Sequence, residues 1–139
     1  MKTWARTVTI ATSLACLLLL AGCSGGADAS TPTATPSGPV GGTVTLGASS
    51  FQQTAISLSA GQALRLVDPA GTGGTHVLCL GTDGQCDASP QGPDALHGPG
   101  LRIAPGDTKE ISFLSPGQYQ VTCTIHPSMN LTISVLGTG

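Results

Sequence analysis

The sequence predicts an all-β domain, a β-sandwich or small barrel of seven to eight short antiparallel strands, on three observations. Short apolar or alternating runs recur about every ten residues. Turn chemistry separates them, and no window sustains the 3.6-residue apolar spacing of a helix. With 20 Gly, 10 Pro and 9% charged side chains in 139 residues, the chain is also poor in the helix formers Glu, Lys and Met.

The predicted strands are, in order, Thr43 to Leu46, Ala55 to Leu58, Ala63 to Val67, His76 to Leu80, Leu101 to Ile103, Glu110 to Leu114, Gln118 to Thr124 and Leu131 to Leu136. Ala60-Gly61, Asp68-Pro69, Pro105-Gly106-Asp107 and Pro116-Gly117 lie between them, residues that preset φ at about −65° or tolerate positive φ. Ala63-Leu64-Arg65-Leu66 and Glu110-Ile111-Ser112-Phe113 alternate as strands with one buried face do. The longest irregular stretch, Gly81 to Gly100, is rich in Gly, Pro and Asp; a loop of that length in a small domain is usually functional or mobile.

The chain ahead of this domain has a different character. Lys2 and Arg6 precede an apolar run from Ala15 to Ala21, the layout of an export signal and too short to span a bilayer. The run closes on Leu20-Ala21-Gly22-Cys23, similar to a bacterial lipobox, which implies cleavage of 1–22 and diacylglyceryl transfer to the Cys23 thiol. The alternative is an ordinary secretory signal cut at a nearby small residue. Two acyl chains hold a protein at a membrane, where one would bind marginally. The 16 residues from Ser24 to Pro39 carry one charge, Asp28, and no large apolar side chain. They read as a tether of the segment 23–39, reaching roughly 20–25 Å as a flexible coil. The domain proper is then 40–139, expected as a monomer on the extracytoplasmic face of a bacterial cell membrane.

Charge narrows the partners. The formal net charge is −2, and loss of Lys2 and Arg6 leaves Arg65, Arg102 and Lys109 against seven acids, a mature charge of −4. No basic stripe exists to neutralise a phosphate backbone, which excludes nucleic acid. An acidic surface hints at a basic docking face on a partner, although the acids Asp68, Asp83, Asp87, Asp94, Asp107 and Glu110 are scattered.

Five cysteines are an odd number. Cys16 leaves with the signal and Cys23 takes the lipid. Cys79 and Cys86, with six residues including two glycines between them, read as a local disulfide in an oxidising compartment; free thiols or a soft metal pair are the alternative. Cys123 remains, in Cys123-Thr-Ile-His126-Pro-Ser-Met129. Thiolate, imidazole and thioether at three-residue intervals, where a strand ends in a tight Pro-containing loop, can face one point. Copper accepts such donors in both Cu(I) and Cu(II) states. His76, opening a separate apolar strand after Gly73-Gly74-Thr75, can supply a second imidazole. With 3 His and 2 Met in 139 residues, His and Met at two preset positions after a given Cys arise by chance about once in 3,000. The bland alternatives are a buried Cys, a satisfied loop His and a core Met.

This segment, preceded by Pro116-Gly117-Gln-Tyr119 and followed by a Thr/Ile/Val strand, resembles the C-terminal copper loop of the cupredoxins, the plastocyanin and amicyanin group of type 1 blue copper proteins. Leu58-Ser-Ala-Gly61-Gln-Ala-Leu64-Arg-Leu-Val67-Asp-Pro resembles the strand-turn-strand ahead of that family's first ligand His, and Pro105-Gly106-Asp107-Thr108 a turn leading to its penultimate hairpin. The resemblance implies a Greek-key fold, one copper, the ligands His76, Cys123, His126 and Met129, and no enzymatic activity. It also implies that His126, beside Pro127 and Ser128, passes single electrons to a redox protein docked there.

Two features depart from the family pattern. Val77 stands where an Asn commonly ties the two ligand segments, and the Cys79–Cys86 loop is additional. His97 in that loop is an alternative to His76, with no strand pattern around it. Two other functions compete with electron transfer: copper carriage, which usually brings Met-rich or His-rich tracts absent from this chain, and a metal-free β-sandwich for adhesion or accessory roles.

Overall fold

Nine strands form among residues 38–139, those described by the computed structural model. They are β1 (Val40–Thr45), β2 (Ala55–Ser59), β3 (Ala63–Val67), β4 (His76–Thr82), β5 (Gln85–Cys86), β6 (Leu101–Ile103), β7 (Thr108–Ser112), β8 (Gly117–Cys123) and β9 (Asn130–Leu136). The expected signal segment 1–22, Cys23 and nearly all of the expected tether lie outside the described residues. Among the described residues no helix is long and apolar enough to cross a membrane.

Two sheets enclose one core. The first has the order β1-β3-β7; the second runs β2-β9-β8-β4, with β5 and β6 both paired to β4. Inward positions follow the pleat: Leu64 and Leu66 on β3, Leu78 and Leu80 on β4, Tyr119, Val121 and Cys123 on β8, Leu131, Ile133 and Val135 on β9 are all buried. Phe113 and Tyr119 meet edge to face with ring centroids 5.1 Å apart. The Tyr119 hydroxyl donates to the Ser115 carbonyl at 2.8 Å, so its polar end is satisfied. On the outer face Arg65 stands opposite Glu110 and the two form an ion pair of 2.8 Å, which marks the β3–β7 register.

The pairing corrects one expectation. β1 pairs with β3, and β2 with β9, in parallel rather than antiparallel fashion. The cause is crossing between sheets: β2 lies in the opposite sheet from β1 and β3, so the chain returns to the first sheet running in its original direction. A second difference is β5, two residues in the stretch expected to be irregular. It forms because Gly81 pairs with Cys86 and Thr82 with Gln85 in a tight return that the Cys79–Cys86 disulfide closes, with Cα atoms 5.6 Å apart. The same stretch is pinned further along by a 3-10 turn, Asp94–Leu96, whose Leu96 side chain enters the core.

Candidate metal centre

The site is built where β4 begins and β8 ends. Leu78 pairs with Cys123, and the Thr124 N–H continues the ladder by donating to the Val77 carbonyl at 2.9 Å. His76, two residues before Leu78, therefore points to the same face as Cys123 and lies diagonally across from it, within reach of a side chain. The hairpin beyond Cys123 closes on a turn in which the Met129 N–H donates to the His126 carbonyl at 2.8 Å. Pro127 occupies the position whose φ a proline presets. The Cys123 N–H donates in turn to the Met129 carbonyl at 3.1 Å. One strand end and one turn thus bring three of the sequence-marked residues to a point, with Met129 buried beside them on the returning chain.

Cys123 Sγ lies 3.8 Å from His76 Nδ1 and 3.7 Å from His126 Nδ1. The three donor atoms fall within 4.8 Å of one another, and the rings of His76 and His126 sit 5.1 Å apart at 51°. A metal bonded at about 2.3 Å to sulfur and about 2.0 Å to nitrogen, at trigonal angles, separates sulfur from nitrogen by about 3.7 Å. The thiol–imidazole spacings therefore fit a bound ion, and a His2Cys set whose hairpin also carries a buried Met129 fits copper. His97 is elsewhere: its Nε2 is 3.1 Å from the Gly92 carbonyl and its Nδ1 3.7 Å from Asp94.

Burial grades across the centre. His76, Cys123 and Met129 are buried, His126 is half-buried, and Ile125, Pro127 and Ser128 beside it are exposed. Burial pushes the His76 imidazole below its ordinary value. The Asp68 carboxyl opposes that, the nearby His126 ring adds to it, and the Gly47 carbonyl opposes it again. The disulfide loop rests on the outer side of the hairpin. Its Gly84 N–H donates to Thr122 Oγ1 at 2.8 Å, and the Asp83 N–H donates to Asn130 Oδ1 at 3.0 Å.

Asp68 is a residue that sequence reading placed only in a turn. It is fully buried, and its Oδ2 lies 3.9 Å from His76 Nε2. The missed signal is periodicity: Leu64, Leu66 and Asp68 share one inward register, so an acid directly continues the buried face of β3.

No family model matches the sequence, and no curated protein matches it. Solved structures do. Amicyanin from Paracoccus versutus superposes with a TM-score of 0.52 at 18% identity, covering 73% of this chain and 85% of that one. A reduced amicyanin variant gives 0.51 at 15%, covering 70% and 82%. The copper-containing nitrite reductase from Thermus scotoductus gives 0.51 at 24%, covering 73% of this chain but only 23% of the reductase. At these identities the likeness establishes the architecture: residues 40–136 have the cupredoxin fold.

Proposed function

We propose that this chain is an extracytoplasmic type 1 copper protein that carries single electrons between redox partners, held to the membrane by a lipid on Cys23. The observation that carries the reading is the placement of His76 Nδ1 and His126 Nδ1 at 3.8 and 3.7 Å from one buried thiol. Copper held by His76, Cys123, His126 and Met129 would supply a Cu(I)/Cu(II) couple.

The residues around it favour electron exchange over turnover of a substrate. His76, Cys123 and Met129 are buried and keep water from three sides, while only His126 edges toward solvent. A cleft lined by Gln91, Pro93, Asp94, Leu114 and Tyr119 shares no residue with the ligand set. The hairpin hydrogen bonds fix the backbone of Cys123, His126 and Met129, which limits the rearrangement that a change of charge at a bound copper would need. The lipobox-like Leu20-Ala21-Gly22-Cys23 supports the anchor, and the Cys79–Cys86 disulfide supports an oxidising compartment.

Adding Cu(II) to the purified protein tests this. An intense blue thiolate-to-copper absorption, lost in Cys123→Ser, is the expected result; its absence sinks the copper reading. Rapid loss of the copper to a competing chelator would instead identify a carrier. Radiolabelled fatty acid incorporated by the wild type and not by Cys23→Ala tests the anchor.

A further inference from the structure

We propose that Asp68 is the positioning residue for His76: its Oδ2 accepts the imidazole Nε2–H and thereby holds Nδ1, as the lone-pair nitrogen, toward Cys123 Sγ. The assignment of Nδ1 as a copper donor rests on the function proposed above.

Both side chains are fully buried, and the two atoms that face each other, Asp68 Oδ2 and His76 Nε2, each lack a well-formed hydrogen bond, with the Gly47 carbonyl close to the His76 ring. Their separation is 3.9 Å, and a shift of about 1 Å, within the range of a side-chain torsion, closes it to hydrogen-bond length. Everything else about Asp68 is fixed. Its Oδ1 is engaged by the Thr72 hydroxyl, its N–H donates to the Asp107 carbonyl at 2.9 Å, and its carbonyl accepts the Gly106 N–H at 2.7 Å. The carboxyl group is therefore built into the end of β3 with one oxygen committed and the other aimed at the ring.

A neutral imidazole carries one proton, so a carboxylate accepting at Nε2 selects the tautomer whose Nδ1 is free to bind metal. The Gly47 carbonyl is the other acceptor close to His76. A carboxylate differs from it in charge: it raises the basicity of the ring and favours the more positive metal state. Asp68 should accordingly tighten Cu(II) more than Cu(I).

Nitrogen NMR of the copper-free protein, together with Cu(I) and Cu(II) competition titrations, tests the proposal on the wild type, Asp68→Asn and Thr72→Val. The expected wild-type His76 is protonated at Nε2, with a downfield Nε2–H proton. That proton moves upfield in Asp68→Asn, whose amide is a near-isosteric but weaker acceptor. Asp68→Asn also lowers Cu(II) affinity by about 10- to 100-fold, and Cu(I) affinity by less. Thr72→Val, which removes the hydroxyl shared by Asp68 Oδ1 and the Pro69 carbonyl and leaves Oδ2 in place, moves both readings the same way by less. A wild-type proton on Nδ1, or an Nε2–H resonance that ignores Asp68→Asn, overturns the proposal; the second result would assign the bond to Gly47. If the protein binds no copper, the function proposed above fails, while the tautomer measurement still decides the role of Asp68.

Discussion

The Val77 carbonyl accepts the Thr124 N–H at 2.9 Å, and that backbone bond joins the strand bearing His76 to the hairpin bearing Cys123, His126 and Met129. The Thr124 hydroxyl reaches the same carbonyl at 3.4 Å. The family resemblance of the sequence leads one to expect an Asn side chain at position 77 for this tie; Val77 stands there, and the main chain makes a tie of its own. Val77→Asn should consequently leave the blue absorption unchanged and cost about 1 kcal/mol or less, the span of strand propensities. A marked spectral shift in that variant would show that the Val77 side chain shapes the site after all.

Gly84 marks the contact of the disulfide loop with the ligand turn. Its φ is +77°, and a Cβ there would sit 3.0 Å from Pro127 Cβ and Cγ. Gly84→Ala meets both a backbone penalty and a clash with the ring beside His126. Denaturant unfolding should register a loss of about 1–3 kcal/mol, and the copper-loaded variant should show a shifted visible spectrum. Unchanged stability would mean that loop and turn are not packed together in solution.

Removing both half-cystines, Cys79→Ala with Cys86→Ala, frees an eight-residue loop in the unfolded chain. The chain-entropy relation assigns such a closure about 2–3 kcal/mol. Because the loop is fastened to Thr122 and Asn130 on either side of the ligand turn, copper release should also quicken. A double variant with wild-type stability and wild-type copper release would reduce the disulfide to an ornament of the loop.

His76 fixes the sign of the acid response of the copper-free protein. Burial lowers its folded-state value below the ordinary imidazole value of about 6.5, so the unfolded chain binds a proton that the native one resists. This contribution to stability is fully present above about pH 6.5 and is lost as the pH falls from there through the lowered native value. Unfolding free energies measured across that range should decline toward acid in the wild type and decline less in His76→Gln. Parallel slopes for the two proteins would remove His76 from the response.

The chemistry was legible where it is local. Cys123, His126 and Met129 sit in seven consecutive residues, and the Pro127 turn that gathers them is a matter of nearest-neighbour backbone preference. The alternation of Ala63-Leu64-Arg65-Leu66 and Glu110-Ile111-Ser112-Phe113 likewise showed the buried faces of β3 and β7. What depends on long-range pairing was not legible: the parallel partners β1–β3 and β2–β9 follow from which sheet β2 joins, and no local run encodes that. Asp68 fell between the two cases. Its i, i+2 spacing from Leu66 was visible, but an acid beside a proline is ordinarily a turn, and only the arrival of His76 from another strand makes it more.

Electron exchange should leave through His126. It is the ligand candidate that is half-buried rather than buried, and it sits next to exposed Ile125, Pro127 and Ser128, so a partner docked there comes nearer to the centre than from any direction guarded by His76, Cys123 or Met129. His126→Gly removes that edge while retaining the buried thiol, His76 and Met129, so the protein should still take up copper. Stopped-flow mixing of the copper-loaded variant with a small inorganic oxidant should give a bimolecular rate at least about tenfold below the wild type, since a deeper donor and a changed partner contact each raise the barrier and every 1.36 kcal/mol is tenfold. An unchanged rate, with copper bound, would place the exit on another face of the domain and free the Ile125–Ser128 surface for some other use.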